Sequence, residues 1–159
     1  ITKEHIEPII DKYREYYDTT GMNECALYPG VRDMLQHLRE KGHTIALASS
    51  KPEHNCEGIL KNLGVADYFD YIVGATRGPE RREKVLVLQE AFRRMGVTDL
   101  KDAVLIGDTK YDALGAKAAG IDCVGVTFGF GTREELLESG AVAVFDTMAE
   151  VEEYLDASC

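Results

Sequence analysis

Apolar positions along the chain fall into two alternating kinds of segment. In one kind they recur three or four residues apart, as a single helix face demands. In the other they run together over four or five residues, as in a strand covered on both sides. Residues 2 to about 17 are of the helical kind, with Ile6, Ile9, Ile10, Tyr13 and Tyr17 in step until Thr19-Thr20-Gly21 breaks the pattern. Tyr28-Pro29-Gly30 opens a second helix that carries Val31, Met34, Leu35 and Leu38 on one face and ends at Gly42. Beyond it the spacing predicts strands over 44–48, 71–74, 103–106, 123–127 and 141–145. Between and after them it predicts helices over 52–63, 83–95 and 111–119, a helix behind the capping box Thr132-x-x-Glu135, and a closing helix over 148–155. Helices stopped by glycine and followed by apolar strands argue for an α/β fold: a Rossmann-like, mostly parallel sheet with helices on both faces. One boundary is visible, near residues 23–28, dividing the chain into 1–25 and 26–159.

Composition narrows the classes of function. With 159 residues, 45% hydrophobic and 29% charged, the chain has the size and make-up of one globular domain with a real core. A net charge of −10 speaks against non-specific nucleic-acid binding, which needs lysines and arginines to displace counterions. It speaks equally against a polybasic membrane-surface role. No apolar run approaches the ~20 residues of a membrane span, and no signal-peptide pattern is visible. Cys25, Cys56, Cys123 and Cys159 are far apart with no C-x-x-C pair, the usage expected of reduced thiols in a cytoplasmic protein. The chain opens with Ile1 inside a helical pattern and reads as a piece of something longer.

Candidate chemistry sits where strands end. In an open α/β sheet, ligands bind outside the carboxyl ends of the strands, and Ser49 and Asp108 both stand at such ends. Ser49 and Ser50 precede a helix, where hydroxyls and free amides cradle phosphate. Helix capping through Ser50-x-x-Glu53, with Pro52 in the first turn, is the better reading of Ser50, and phosphate contact that of Ser49. Lys84 enters a helix at the end of the charged stretch 77–84. Alone it reads as solvated charge; between the serine and aspartate segments it reads as a clamp on a phosphoryl group. Asp108 and Asp112 are four residues apart, and a hard cation such as Mg²⁺ relieves the repulsion of two such carboxylates. The competing reading is that Asp108 or Thr109 caps the next helix and Asp112 complements its dipole. His5, His37, His43 and His54 share no metal-ligand spacing, and Gly129-Phe130-Gly131 reads as a turn.

Taken in order, Ile45-Ala46-Leu47-Ala48-Ser49-Ser50-Lys51-Pro52, Lys84 and Gly107-Asp108-x-x-x-Asp112 resemble the second, third and fourth motifs of the haloacid dehalogenase-like phosphatases, in the phosphoglycolate phosphatase branch. Residues 63–70 and 129–136 are also similar to this branch. The resemblance implies Mg²⁺-dependent hydrolysis of a small phosphate monoester through an aspartyl-phosphate. Ser49 and Lys84 would act on the phosphoryl group, with Ser50 beside them in substrate binding, and Asp108 would bind the metal with Asp112 helping directly or through water. Residues 1–25 would be the end of a helical cap over a core of residues 26–159. Phosphoglycolate, nucleoside monophosphates, sugar phosphates and pyrophosphate all fit the class of small phosphorylated metabolite.

One part of the pattern is missing. The family's first motif, a strand ending in D-x-D-G that supplies nucleophile and general acid, is nowhere in the 159 residues. Phosphate-monoester hydrolysis can require acceleration on the order of 10²¹-fold, whereas one positioned donor supplies about 3–4 kcal/mol. The chain alone is therefore expected to be inactive, with its own N-terminal segment of roughly 70 residues, by family analogy, as the partner that completes it. That strand lies in mid-sheet in the family, so the strands ending at Ser49 and Asp108 are expected ~10 Å apart, each with an unpaired edge. The alternative is a degenerate module that binds phosphate or Mg²⁺, or pairs with another polypeptide, without catalysis. A receiver-like phosphorylation domain fits poorly, because its acidic pair comes early and its lysine last.

Overall fold

Five parallel strands fall into two sheets. The computed structural model describes residues 3–76 and 78–158; Ile1, Thr2, Arg77 and Cys159, and the side chains of Lys3, Glu4, His5, Glu7, Pro79 and Ser158, lie outside the described part. In chain order the elements are α1 (Lys3–Thr19), α2 (Val31–Glu40), β1 (Ala46–Pro52), α3 (Glu53–Asn62), β2 (Tyr71–Ala75), α4 (Lys84–Met95), β3 (Val104–Gly107), α5 (Lys110–Ala119), β4 (Asp122–Val126), α6 (Arg133–Glu138), β5 (Ala143–Phe145) and α7 (Met148–Ser158). Short 3₁₀ turns cover Gly21–Asn23, Ala66–Tyr68 and Pro79–Arg81. β1 pairs with β2, and β3–β4–β5 form the second sheet. β1 and β3 are not hydrogen-bonded to each other, so each presents an open edge, as expected for the strands ending near Ser49 and Asp108.

The two sheets are joined by helices on both faces. α2 spans them on one side: Met34 packs with Val124, Val126 and Val151, while the next residue, Leu35, packs with Ile45, Leu60 and Val65. On the other side α4 covers β1 and β2 through Val87 and Ala91, and leans on α5, which covers β3 and β4. The two-residue period of β4 accounts for the layering. Cys123 faces Ala113, Ala116 and Leu136 on one side, and Val124 and Val126 face α2 and α7 on the other. Fully buried residues such as Leu136 and Val124 contribute about 1.5–3 kcal/mol each. α1 stands apart. Its main contacts are with the turn that follows it, and Ile9 and Tyr13 are 64% and 63% exposed.

Helix ends follow the sequence signals with one correction. Gly96 and Gly120 end α4 and α5 with positive φ (68° and 82°), and Thr132 and Glu135 form the reciprocal capping box at α6. Ser50, however, does not cap α3. Lys51 precedes a proline, which disfavours helical backbone there, so β1 runs on through Pro52, and Pro52 is the N-cap residue without a side-chain bond. The Glu53 carboxylate, freed from a capping box, accepts from the Gly74 amide (3.1 Å) and pairs with Arg81 (2.8 Å) and Arg94 (3.0 Å). Arg81 also donates to the Gly74 carbonyl (2.7 Å), which ties the turn leading into α4 to β2 and α3. Cys25, Cys56 and Cys123 are free thiols. No described helix is long and apolar enough to cross a membrane.

This ion-pair network has a pH signature. Burial acts to raise the pKa of Glu53, but hydrogen bonds from Arg94 and the Gly74 amide and the charges of Arg94 and Arg81 outweigh it and hold the carboxyl low. Hydrogen bonds from Arg93 and then Arg94 bring Glu90 down to about 2. Both lie below the unfolded value of ~4.3, so their contribution is complete above that pH and is lost as pH falls through the folded values. Glu53→Gln is expected to cost about 1–2 kcal/mol at pH 7, read as a lower urea midpoint. The deficit relative to wild type should shrink as the pH is lowered from 5 toward 2.

Candidate functional site

Lys84 joins the candidate residues: it meets β1 at Ala48, next to Ser49, and Asp112 in the first turn of α5, four residues after Asp108 at the end of β3. Lys84 is the first residue of α4, behind the extended Glu83. A cation at a helix N-terminus opposes the macrodipole, so tertiary partners must hold it. Its Nζ donates to the Ala48 carbonyl of β1 (2.8 Å) and pairs with the Asp112 carboxylate in α5 (2.9 Å). Both side chains are nearly buried, at 12% and 11% exposure. Gly115 makes the approach possible: a Cβ there would collide with Lys84 Cγ and lie 2.7 Å from Lys84 Cβ. The aliphatic stem of the lysine therefore lies against the bare backbone of α5.

Asp112 is committed on both oxygens. Oδ2 accepts from the Thr109 amide (3.0 Å) and hydroxyl (2.7 Å), completing a capping box on α5, and Oδ1 takes Lys84. Burial pushes its pKa up, but the Lys84 charge and the hydrogen bonds from Lys84 and Thr109 prevail and hold the carboxyl below the usual range. Asp108 lies in a different cradle. The turn after β4 wraps it: the Phe130 amide donates to Oδ2 (3.1 Å) and the Gly131 amide to the Asp108 carbonyl (2.7 Å). A side chain at Gly129 would collide with the Asp108 carboxylate. Residues 129–131 thus form a turn, as read from the sequence, with the unforeseen task of holding Asp108. Among the described residues no three His, Cys, Asp or Glu side chains gather as a metal-ligating cluster.

Ser49 is half-buried, and its Oγ accepts from the Lys51 amide (3.2 Å). Ser50 is exposed and lines a crevice of about 420 Å³ with Arg82, Lys84 and Tyr111. A second crevice, of about 580 Å³, opens between α1 and the ends of β1 and β2, and Ser50 and Arg82 belong to its walls too. His54 lies 3.5 Å from Asp18, and His37 pairs with Glu152 and Asp156, so neither is arranged with other histidines as a metal site. Gly115, the hold of the 129–131 turn on Asp108 and the Glu53–Arg81 pair were not singled out by sequence reasoning. A glycine in mid-helix facing the entry of a lysine-led helix is the one signal that could have pointed to Gly115.

Asp112→Asn removes the countercharge of a nearly buried lysine. It is expected to destabilise the fold by about 3 kcal/mol at pH 7, measured by chemical denaturation. Because the folded pKa of Asp112 is depressed, the wild-type advantage should hold above its unfolded value of ~3.9 and fade as pH falls through the folded one.

Comparison with known proteins shows the family. The family pattern of the haloacid dehalogenase-like hydrolases matches residues 1–126. Over 121 residues the chain is 34% identical to a phosphoglycolate phosphatase of Pseudomonas putida, covering 76% of this chain and 42% of that protein. It is 30% identical over 139 residues to a phosphoglycolate phosphatase of Vibrio vulnificus, covering 87% and 60%. The chain thus spans about half the length of these curated relatives. The solved structure of a haloacid dehalogenase-like family hydrolase from Streptococcus pneumoniae matches with a TM-score of 0.88 at 30% identity, over 97% of this chain and 71% of that one. In pattern, sequence and fold alike, the chain belongs to the haloacid dehalogenase-like hydrolases, on the phosphoglycolate phosphatase-like branch.

Proposed function

We propose that the chain forms part of a Mg²⁺-dependent phosphatase acting on small phosphate monoesters. The observation that carries this reading is Lys84, whose ammonium is shared between the Ala48 carbonyl of β1, next to Ser49, and Asp112 at the start of α5. A fixed positive charge at that junction is what a phosphoryl group needs as negative charge builds on its oxygens. Lys84 holds a phosphoryl oxygen, the Ser49 hydroxyl donates to another, and Ser50 contacts the substrate from the crevice it shares with Lys84.

The donor set suits a hard cation. Asp108 spends one oxygen on a single amide and keeps further lone pairs for a metal. Asp112, with both oxygens engaged, reaches the metal through water and keeps Lys84 in place. When bound, Mg²⁺ supplies charge neutralisation at the phosphoryl oxygens. The nucleophilic and general-acid aspartates come, by family analogy, from a D-x-D-G strand that the 159 residues do not contain. The open edges of β1 and β3 provide the place for it, and α1 belongs to the end of the cap, with residues 1–25 forming that part and 26–159 the core. The substrate is a small phosphorylated metabolite, phosphoglycolate among the candidates.

Phosphate release by protein carrying the D-x-D-G segment tests this reading, with the 159-residue chain expected to stay at background. Lys84→Ala is expected to lower kcat/KM by about 10²–10³-fold or more; unchanged kinetics would remove Lys84 from the site. Asp108→Asn is expected to raise the Mg²⁺ concentration for half-maximal activity by at least about tenfold, roughly the loss of one charged ligand. An unshifted Mg²⁺ dependence would exclude Asp108 as a ligand.

A further inference from the structure

Among the described residues, Asn55 Oδ1 is the one buried side-chain oxygen or nitrogen without a hydrogen-bond partner. Asn55 lies in the first turn of α3, 3% exposed, and forms part of the wall of the 580 Å³ crevice under α1. Its amide nitrogen donates to Asp18 Oδ1 at 2.9 Å. A carboxylate only accepts, so the nitrogen must face Asp18 and the unpaired atom must be the carbonyl oxygen. A buried acceptor left without a donor is rare in folded proteins and calls for an explanation. The crevice meets the one containing Lys84 at Ser50 and Arg82, which line both. The two crevices thus run together there, which leaves room for the leaving group of a phosphate ester held at Lys84 to reach the wall that Asn55 lines. The far wall is the lightly packed α1, through Ile10, Tyr13 and Tyr17.

We propose that Asn55 is a specificity-determining residue whose Oδ1 accepts a hydrogen bond from a hydroxyl on the leaving group, so that the site selects hydroxyl-bearing phosphate esters. The inference rests on the phosphatase reading of the Lys84 site. An alkyl group leaves Oδ1 unpaired. A carboxylate has no proton to give it and meets the negative charge of Asp18 beside it. A carboxylate seated instead on Arg14, Lys51 or Arg82, which line the same crevice, is indifferent to Asn55.

Calorimetric titration in Mg²⁺ of the 159-residue chain, which is expected not to turn the esters over, tests this with glycerol 3-phosphate, n-propyl phosphate, 2-phosphoglycolate and inorganic phosphate. Glycerol 3-phosphate should bind about tenfold more tightly than n-propyl phosphate, the worth of one recovered hydrogen bond. Asn55→Leu should erase that preference while leaving inorganic phosphate and 2-phosphoglycolate within about twofold. Equal affinity for the two alkyl esters in wild type, or a preference that survives in the variant, overturns the proposal. If the variant does not fold, the wild-type ester pair decides alone. Inorganic phosphate binding that is lost in Lys84→Ala, together with equal ester affinities, sinks only the role of Asn55. No phosphate binding in wild type sinks the phosphatase reading and this inference with it.

Discussion

A single ammonium joins the two halves of this molecule at their functional end. Lys84 reaches from α4 to a carbonyl of the first sheet and to a carboxylate on the helix that follows the second sheet's first strand. The helix dipole opposes a lysine in that position, and desolvation makes a nearly buried ion pair costly unless its geometry is good. Asp112, itself locked by Thr109, supplies that geometry. The rest of the arrangement follows: α4 must lean on α5, and β1 must pass beside the start of α5.

The order of elements was legible because its signals are local. Glycines that end helices, apolar runs and one capping box near Thr132 all act within a few residues. The order Ser49, Lys84, Asp108, Asp112 was legible through motif spacing. What each side chain touches was not. Ser50 looked like a cap until the Lys51-Pro52 backbone kept the strand going. Glu53 looked like the far end of a capping box, yet it serves two arginines from α4 and the turn before it. The turn at 129–131 could be read as a turn, but its hold on Asp108 spans more than twenty residues and leaves no periodic trace. Asp112, read as a helper at a metal or as a complement to the helix dipole, spends one oxygen on Thr109 and the other on Lys84, contacts that neither reading named.

Charge is distributed unevenly, which the net value conceals. The chain carries −10 overall, a field that discourages approach of an anionic ester. Around the crevices the balance is reversed by Arg14, Lys51, Arg82 and Lys84, and low-dielectric walls strengthen such a local field. Acidic groups nearby are largely spoken for: Glu53 and Glu90 by arginines, Asp112 by Lys84, Asp108 in part by backbone amides.

Gly115 carries a cost that only the site explains. In the middle of α5, glycine gives up about 1 kcal/mol of helix propensity relative to alanine. A search for thermostable variants guided by helix propensity would name this position among the first to replace. A methyl group there would push the lysine stem off the helix and draw its ammonium away from the strand end. Helix propensity and the seating of Lys84 thus compete for a single carbon atom, and the backbone of α5 has been left bare in favour of the lysine.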